Sequence, residues 1–542
     1  MIPSNTWPHT HQELVRHYHH EFDKNIASGK YQPLVFPEAF LGALVVIIYL
    51  LIPHQNRSWL KMARHAVFAF YVAHTTYLIR NVRAKNVAAA LGIGLISAWG
   101  GMYFLAILVC YDAQTDFQRI ERTEGVFGSD EEGSRKESEE EATSTEEKSN
   151  GVKEVQKGTS NGTIPTEHLG PSKRHGEYAW QPFPLTPFIE RLDWVLDVFG
   201  NFRGAGWNWR IIAAPPPPKA IQDQLYRNSP NPPKHTFRKH HSQTTIYPTR
   251  RALLIANLKT FIIGYLMLDL LKTIVIHDPY YWGLVDRAPA PYLPSVITAN
   301  PIVLHVVRLT VSQFAVKYAL QTIFSLAPLF FSGILGPSFL GARAEPWIYP
   351  ETWGSYVHVL DKGLAGWWSA WWHQTFRFAF DAPSRRIIEV TGMNPKAPAA
   401  KFLQLVVAFG LSGVLHASGS VTCHGATRPL LGPMRFFLLQ SVVVFAESNL
   451  TSLVHKTGIQ NRVPRWLKRS FTFFYVHFWF YHTGHLLCED FAKGGVWLFE
   501  PVPFSLFRGL GLGTEGDGWW CYGDWGLRWH SGDRWWKSGI AL

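Results

Sequence analysis

Cysteine is scarce in this chain. Its 542 residues contain four, Cys110, Cys423, Cys488 and Cys521, with no CxxC pair and no regular spacing. That pattern points to neither a disulfide framework nor a thiolate zinc site. Charge is scarce as well: Asp, Glu, Lys and Arg make up 17% of the residues, below the roughly 25% of ordinary soluble domains. No GxSxG elbow is present, so a serine-hydrolase reading has no nucleophile to stand on. GLGTEG at 511–516 fits GxGxxG, but no strand precedes it and no βαβ pattern surrounds it, so it reads as a tail turn. The opening stretch MIPSNTWPHTHQELVRHYHH lacks the basic-then-apolar order of a secretory signal. A first transmembrane helix is therefore expected to serve as the membrane-targeting signal.

Apolar residues, by contrast, reach 47%, and aromatics 15%, with 23 Trp. Such an aromatic excess suits a protein with much interfacial surface, where amphipathic rings sit at headgroup level. A mean hydropathy of −0.04 conceals strong segregation. Residues 121–150 hold 11 Asp/Glu against 4 Lys/Arg, a net of −7, which leaves +19 on the rest of a +12 chain. A basic body of this kind suits nucleic acid, an anionic membrane surface or a phosphorylated substrate. The apolar runs favour the last two, and no nucleic-acid partner is expected.

A bilayer-spanning helix needs about 20 predominantly apolar residues. Segments 36–53, 86–111, 253–276, 302–335, 402–420, 434–454 and 471–487 read as spans, with 302–335 long enough for one or two. Segment 59–79 is more polar and fits either spanning or lying on the surface. The expected fold is an all-α integral membrane protein, a polytopic bundle of about 7–9 transmembrane helices. Residues 1–119 form an N-terminal membrane region, and 120–175 a disordered acidic loop too polar to offset chain entropy. Residues 176–250 make an aqueous connection containing APPPPKAI, 251–515 the core and 516–542 a tail.

Ionisable side chains inside apolar runs are expensive in hydrocarbon and mark candidate sites. His416 lies in FGLSGVLHASGS (409–420), where Gly410, Gly413 and Gly419 fall at spacings of three and Ser412 and Ser420 lie one turn either side. It is either a packing histidine on a small-residue interface or a general base in a buried chamber. GWWSAWWHQTFRFAF (366–380) places four Trp in six residues and His373 one turn before Arg377. Trp368 and Trp372 are expected to stack at i,i+4. This stretch is either a membrane anchor or a wall where a polar headgroup is held. Glu447, in SVVVFAESNL, could pair with an arginine, hold a histidine or carry protons. His477, His482 and His485 lack HExxH or HxxHH company, and no metal is expected.

Several stretches resemble the wax-synthase-like branch of the membrane-bound O-acyltransferases, in particular its fungal members. They are RGAGWNW (203–209), YLMLDLLKTIVIHDPYYWG (265–283), WWSAWWHQTFR (367–377), LSGVLHASG (411–419), FFLLQSVVVFAE (436–447) and FSLFRGLGLG (504–513). They run in the family's order over about 60% of the chain. The resemblance implies acyl transfer from acyl-CoA, a co-substrate with no further cofactor, to a hydrophobic alcohol such as a terpenoid, sterol or fatty alcohol, in the endoplasmic reticulum membrane. It implies that His416 is the catalytic histidine and His373 the second polar position. Trp372, Gln374, Arg377, Ser412 and Glu447 are candidates for holding substrate or donor, and Arg385 and Arg386 join Arg377 as candidates for the CoA phosphates. The family often carries basic residues just before WHQ, where this chain has Ala370 and Trp371; if such residues contact the CoA phosphates, donor affinity or donor choice differs here. Acetyl is the favoured acyl group. The rival expectations are a proton-coupled transporter relaying through His416 and Glu447, and a membrane scaffold docking through its acidic loop.

Overall fold

A computed structural model describes residues 8–126, 176–229, 233, 244, 246–284, 293–458, 462–523 and 527–542. Twelve of its helices position the candidate site: α1 (His11–Ala27), α2 (Leu41–Leu51), α3 (Ser58–Asn81), α4 (Val87–Phe104), α5 (Phe188–Gly200), α6 (Arg250–Val275), α7 (Pro301–Ala327), α8 (Val357–Gly366), α9 (Arg377–Thr391), α10 (Pro398–Thr422), α11 (Arg435–Thr457) and α12 (Arg465–Lys493). The molecule is an α-helical membrane bundle. Among the described residues, five continuous helical stretches are long and apolar enough to cross a membrane: Val87–Cys110, Arg250–Val275, Pro301–Leu335, Pro398–Thr422 and Leu430–Thr457. The apolar stretch Glu38–Leu51 is shorter, and α3 and α12 are long but more polar.

Local sequence sets where these helices begin. Asn300 caps α7 by accepting from the amides of Ile302 (2.9 Å) and Val303 (3.3 Å), and Pro301 occupies the first helical position, where a missing N–H costs nothing. Asn86 does the same for α4, and Thr249 for α6. The long apolar run 302–335 lies in one 35-residue element, Pro301–Leu335, whose last turns, Pro328–Leu335, widen to π geometry. Length alone left one or two helices open; unbroken helical backbone across Pro328 decides for one.

The catalytic-candidate helix α10 packs along α4, and glycine makes the close approach possible. A Cβ at Gly94 would collide with the carbonyl of Ser418, and one at Gly419 would press on Leu91 and Leu95. Small residues at a helix crossing let backbones approach in lipid. Gly413 meets Met434, whereas Gly410 faces open space. The small-residue face thus serves two neighbouring helices. The N-terminal membrane region is consequently part of the same body as the core.

Between the spans lies a compact polar unit. Residues Arg119–Arg122 pair antiparallel with Tyr178–Gln181, Arg119 opposite Gln181. Residues 120–122, counted by sequence with the acidic loop, are strand instead, because Ile120 and Trp180 bury their side chains in one apolar cluster; the acidic stretch 127–175 lies outside the described residues. Arg119, 1% exposed, points its guanidinium at Asp193 (2.8 Å), Asp197 (3.4 Å), Glu121 (3.9 Å) and Glu190 (4.0 Å) and donates from Nε to Gln181 (2.7 Å). Arg343 joins through Asp193. The far end of the chain also returns: Gly539–Ala541 pairs with Val35–Phe36 and Arg528–His530, so the tail is a strand of an N-terminal sheet.

Candidate active site

A cavity of about 1510 Å³ runs through the bundle, walled by α4, α6, α7, α10, α11, α12 and the connection from α8 to α9. Its lining is mostly apolar, and His416 and His373 both face it. His416 lies 2.8 Å from the carbonyl oxygen of Ser412, one turn back on α10. A carbonyl only accepts, so Nδ1 carries the proton and donates. The lone pair is then on Nε2, which has no hydrogen-bond partner among the described residues. Phe437 packs against the ring at 4.5 Å, with Phe491 stacked at 6.5 Å. Ser412 thus acts through its backbone, orienting the imidazole.

His373 lies on the connection between α8 and α9, outside the spans. Four aromatic rings enclose it: Phe324 (5.4 Å), Trp353 (5.6 Å), Trp372 (5.4 Å) and Phe376 (5.5 Å). Its Nδ1 is buried without a partner. Burial, then nearby His416 and Arg203, lower its pKa from the ordinary 6.5 to about 3. The imidazole is therefore neutral and able to donate one hydrogen bond into the cavity. The tryptophans before it differ from the i,i+4 expectation. Trp367–Trp371 is a π turn, so Trp368 and Trp372 meet edge to face at 6.0 Å instead of stacking. Trp371 and Trp372 both line the cavity, and Trp371, 8% exposed, packs in the aromatic cluster with Trp367, Phe409 and Phe436.

Two expected substrate holders make hydrogen bonds within the protein, Gln374 at the cavity wall and Glu447 behind it. Gln374 donates from Nε2 to the carbonyls of Trp368 (2.8 Å) and Trp372 (2.7 Å), and its Oε1 accepts from Arg377 (2.9 Å). Its amide closes the loop that presents His373. Glu447 accepts from the backbone amides of Leu364 (2.9 Å) and Ala365 (2.8 Å). Those amides are freed because α8 kinks at Gly363, whose φ of 63° and ψ of −141° are not helical; a side chain there would collide with the Glu447 carboxylate. The carboxylate does not line the cavity. This removes the geometric basis for a proton relay between His416 and Glu447.

Arg377 and Arg385 line the cavity and share Asp381, each at 3.2 Å. Arg386 pairs with Glu389 at 2.8 Å instead and lies away from it. His477 reaches the wall, donating from Nδ1 to the Phe473 carbonyl (2.8 Å). His482 and His485 border a separate groove with His305 and Glu489. Among the described residues no three His, Cys, Asp or Glu side chains are disposed to hold a metal.

Two residues of the wall, Trp99 and Lys317, and one that braces it, Gln440, are not evident from sequence. Trp99 of α4 faces the cavity and touches Phe376 at 4.5 Å. Gln440, fully buried, accepts at Oε1 from the indoles of Trp479 (3.0 Å) and Trp368 (3.4 Å), fixing the tryptophan turn to α11 and α12. Lys317, midway along the 35-residue span, also faces the cavity. Its charge within an apolar run was the available signal.

Residues 349–439 match the membrane bound O-acyl transferase family. That stretch holds the kinked α8, the tryptophan turn, His373 and the whole of α10 with His416. An acetyltransferase of Rhodocybe pseudopiperita is 24% identical over 336 residues, 59% of this chain and 73% of that protein. An O-mevalon transferase of Penicillium terrestre is 25% identical over 270 residues, 48% of this chain and 53% of the relative. Another, from Aspergillus niger, is 22% identical over 301 residues, 52% of this chain and 58% of the relative. The chain thus spans little more than half the length of these last two. No solved structure matches it. The two cavity histidines thus lie inside the segment that matches the membrane bound O-acyl transferase family, and the membrane bundle surrounds them.

Proposed function

We propose that the protein transfers a small acyl group from acyl-CoA to a hydroxyl of a hydrophobic alcohol inside this cavity. The observation that carries the reading is the orientation of His416: the Ser412 carbonyl accepts a hydrogen bond from Nδ1–H, leaving a lone pair on Nε2 in an apolar chamber. In the proposed step the alcohol oxygen attacks the thioester carbonyl as Nε2 takes its proton. The tetrahedral intermediate collapses with cleavage of the carbon–sulfur bond. The departing thiolate recovers the proton from the imidazolium, giving ester and free CoA without an acyl-enzyme. A positioned base of this kind is worth about 10²–10⁴-fold. The apolar wall keeps water from competing for the thioester.

His373, neutral and enclosed, donates to the acyl carbonyl as negative charge develops on its oxygen. Arg377 and Arg385 suit the CoA phosphates, for which guanidinium forks are fitted, and each is partly exposed at 30% and 39%. Trp371, which stands in place of a basic residue, is buried in the aromatic cluster, so the donor's phosphates fall to the α9 arginines. The relatives named for acetyl and mevalon transfer support a short acyl group. The endoplasmic reticulum is the proposed membrane.

The test uses microsomes carrying wild type or His416→Ala at matched folded levels, supplied with labelled acetyl-CoA or a long-chain acyl-CoA and a panel of terpenoid, sterol and fatty alcohols. New ester with wild type alone supports the reading and identifies the donor. Equal ester with both proteins removes His416 from the mechanism.

A further inference from the structure

Lys317 is an ammonium at the middle of a membrane span, facing the cavity, with no carboxylate paired to it among the described residues. Its Nζ donates to Gln321 one turn on (2.7 Å) and lies over the rings of Tyr318 (4.4 Å) and Trp353 (5.6 Å). One turn back on the same face, Gln313 Nε2 is buried without a hydrogen-bond partner and also lines the cavity. A charge at this depth is costly and persists where it has a use. Two adjacent donors, one charged, await an acceptor.

We propose that Lys317 and Gln313 form a subsite for a carboxylate carried by the acceptor, so that the alcohol acylated here is a hydroxy acid. This names the acceptor class for the acyl transfer proposed above and rests on that reading. The spacing supports it. Phe324, which touches His373, lies seven residues beyond Lys317 on α7, about 10 Å along the axis at 1.5 Å per residue. Trp353 lies between, with Lys317 over its ring and His373 against it. A carboxylate on Lys317 would thus leave the far end of a long apolar substrate beside His373 and His416. One ammonium and one amide match a single carboxylate. The several phosphates of CoA call for guanidinium forks, which α9 supplies.

The experiment measures binding and needs no turnover. Full-length protein in detergent is titrated with ω-hydroxydodecanoate, with its methyl ester and with coenzyme A, following tryptophan fluorescence. A charge-assisted hydrogen bond predicts that wild type binds the acid about tenfold tighter than the ester. Lys317→Met should abolish that preference, and Lys317→Arg should keep most of it. Met fills similar volume and places no charge in the span, so loss of fold is not the expected consequence. Equal binding of acid and ester by wild type, binding of neither, or a preference that survives Lys317→Met overturns the proposal. Weakened coenzyme A binding in Lys317→Met, with the acid preference intact, assigns Lys317 to the donor and overturns it also. His416→Ala should retain the preference. If it does, while wild type makes no ester, the catalytic reading fails and the subsite stands.

Discussion

Two regions of this molecule bury polar groups, and they treat them in opposite ways. Around Arg119, each charge faces an opposite one: four carboxylates surround Arg119, and Arg343 joins through Asp193. In the cavity, His416 Nε2, His373 Nδ1, Gln313 Nε2 and the Lys317 charge lack such partners among the described residues. An unsatisfied buried polar atom costs about 1–3 kcal/mol. The hub too leaves Arg119 Nη2 and Glu121 Oε2 without a hydrogen bond, but there opposite charges stand within 4.0 Å; His373 Nδ1 and Gln313 Nε2 on the cavity wall have no such charge beside them and mark a place where something else is meant to bind. The first region holds loops and strands together, and the second is kept ready for substrate.

The largest contrast comes from deleting one group from each region. His416→Ala, measured by ester formation at saturating donor, should lower turnover by about 10²–10⁴-fold while the melting temperature changes little. Arg119→Ala should do the reverse. It leaves four carboxylates facing one another in a buried site, a loss of about 3–5 kcal/mol, read as a lower melting temperature or failure to accumulate folded protein. If Arg119→Ala were to melt like wild type, the hub would not be the fastening it is taken for here.

Glu447 tests the boundary between the regions, since it sits in a span yet behaves like the hub. Glu447→Ala strips two backbone amides of their acceptor, each worth about 1–3 kcal/mol. Loosening of the α8 kink should follow, with activity falling because the tryptophan turn and His373 lose their support. Glu447→Gln keeps one acceptor oxygen and should lose less in both measures. A proton carrier would show the opposite order, with Gln as damaging as Ala to activity and neither affecting stability.

How much of this was legible in sequence follows the physics of each signal. Apolar run length sufficed for the bundle, and His416 stood out as the one ionisable side chain in the apolar and small-residue run 402–420. The placement of Glu447 was not legible, because its use depends on amides freed by a kink 84 residues earlier at Gly363. Nor was that of Gln374, whose side chain closes a loop only because the turn before it is π-type. The strand Arg119–Arg122 was hidden by the acidic stretch that follows it, since its partner Tyr178–Gln181 lies beyond that stretch. Long-range pairing leaves no local trace.

The smallest predicted effect concerns the hub's response to pH, and its sign differs from that of an ordinary salt bridge. Burial pushes Glu121 upward from 4.5 despite the pull of Arg119, and Asp197 upward from 3.8 despite Arg343 and Arg119. The folded chain therefore still holds protons in a window that begins at the ordinary carboxylate values and extends above them, where the unfolded chain has released its own. Stability must fall as pH rises through that window and stay at the lower level beyond it. Against the opposite slope imposed by His373, whose pKa is lowered to about 3 so that only the unfolded chain protonates there, the hub's share of the melting temperature should rise as pH is lowered from about 7 towards about 5. Glu121→Gln should flatten that slope, because its amide oxygen can still accept from Arg122 and Ala342 and has no charge to desolvate. A wild-type curve that climbs with pH more steeply than that of Glu121→Gln would mean that Arg119 outweighs burial in this region. The hub would then hold its carboxylates ionised, and the distinction from the cavity would rest on partners alone.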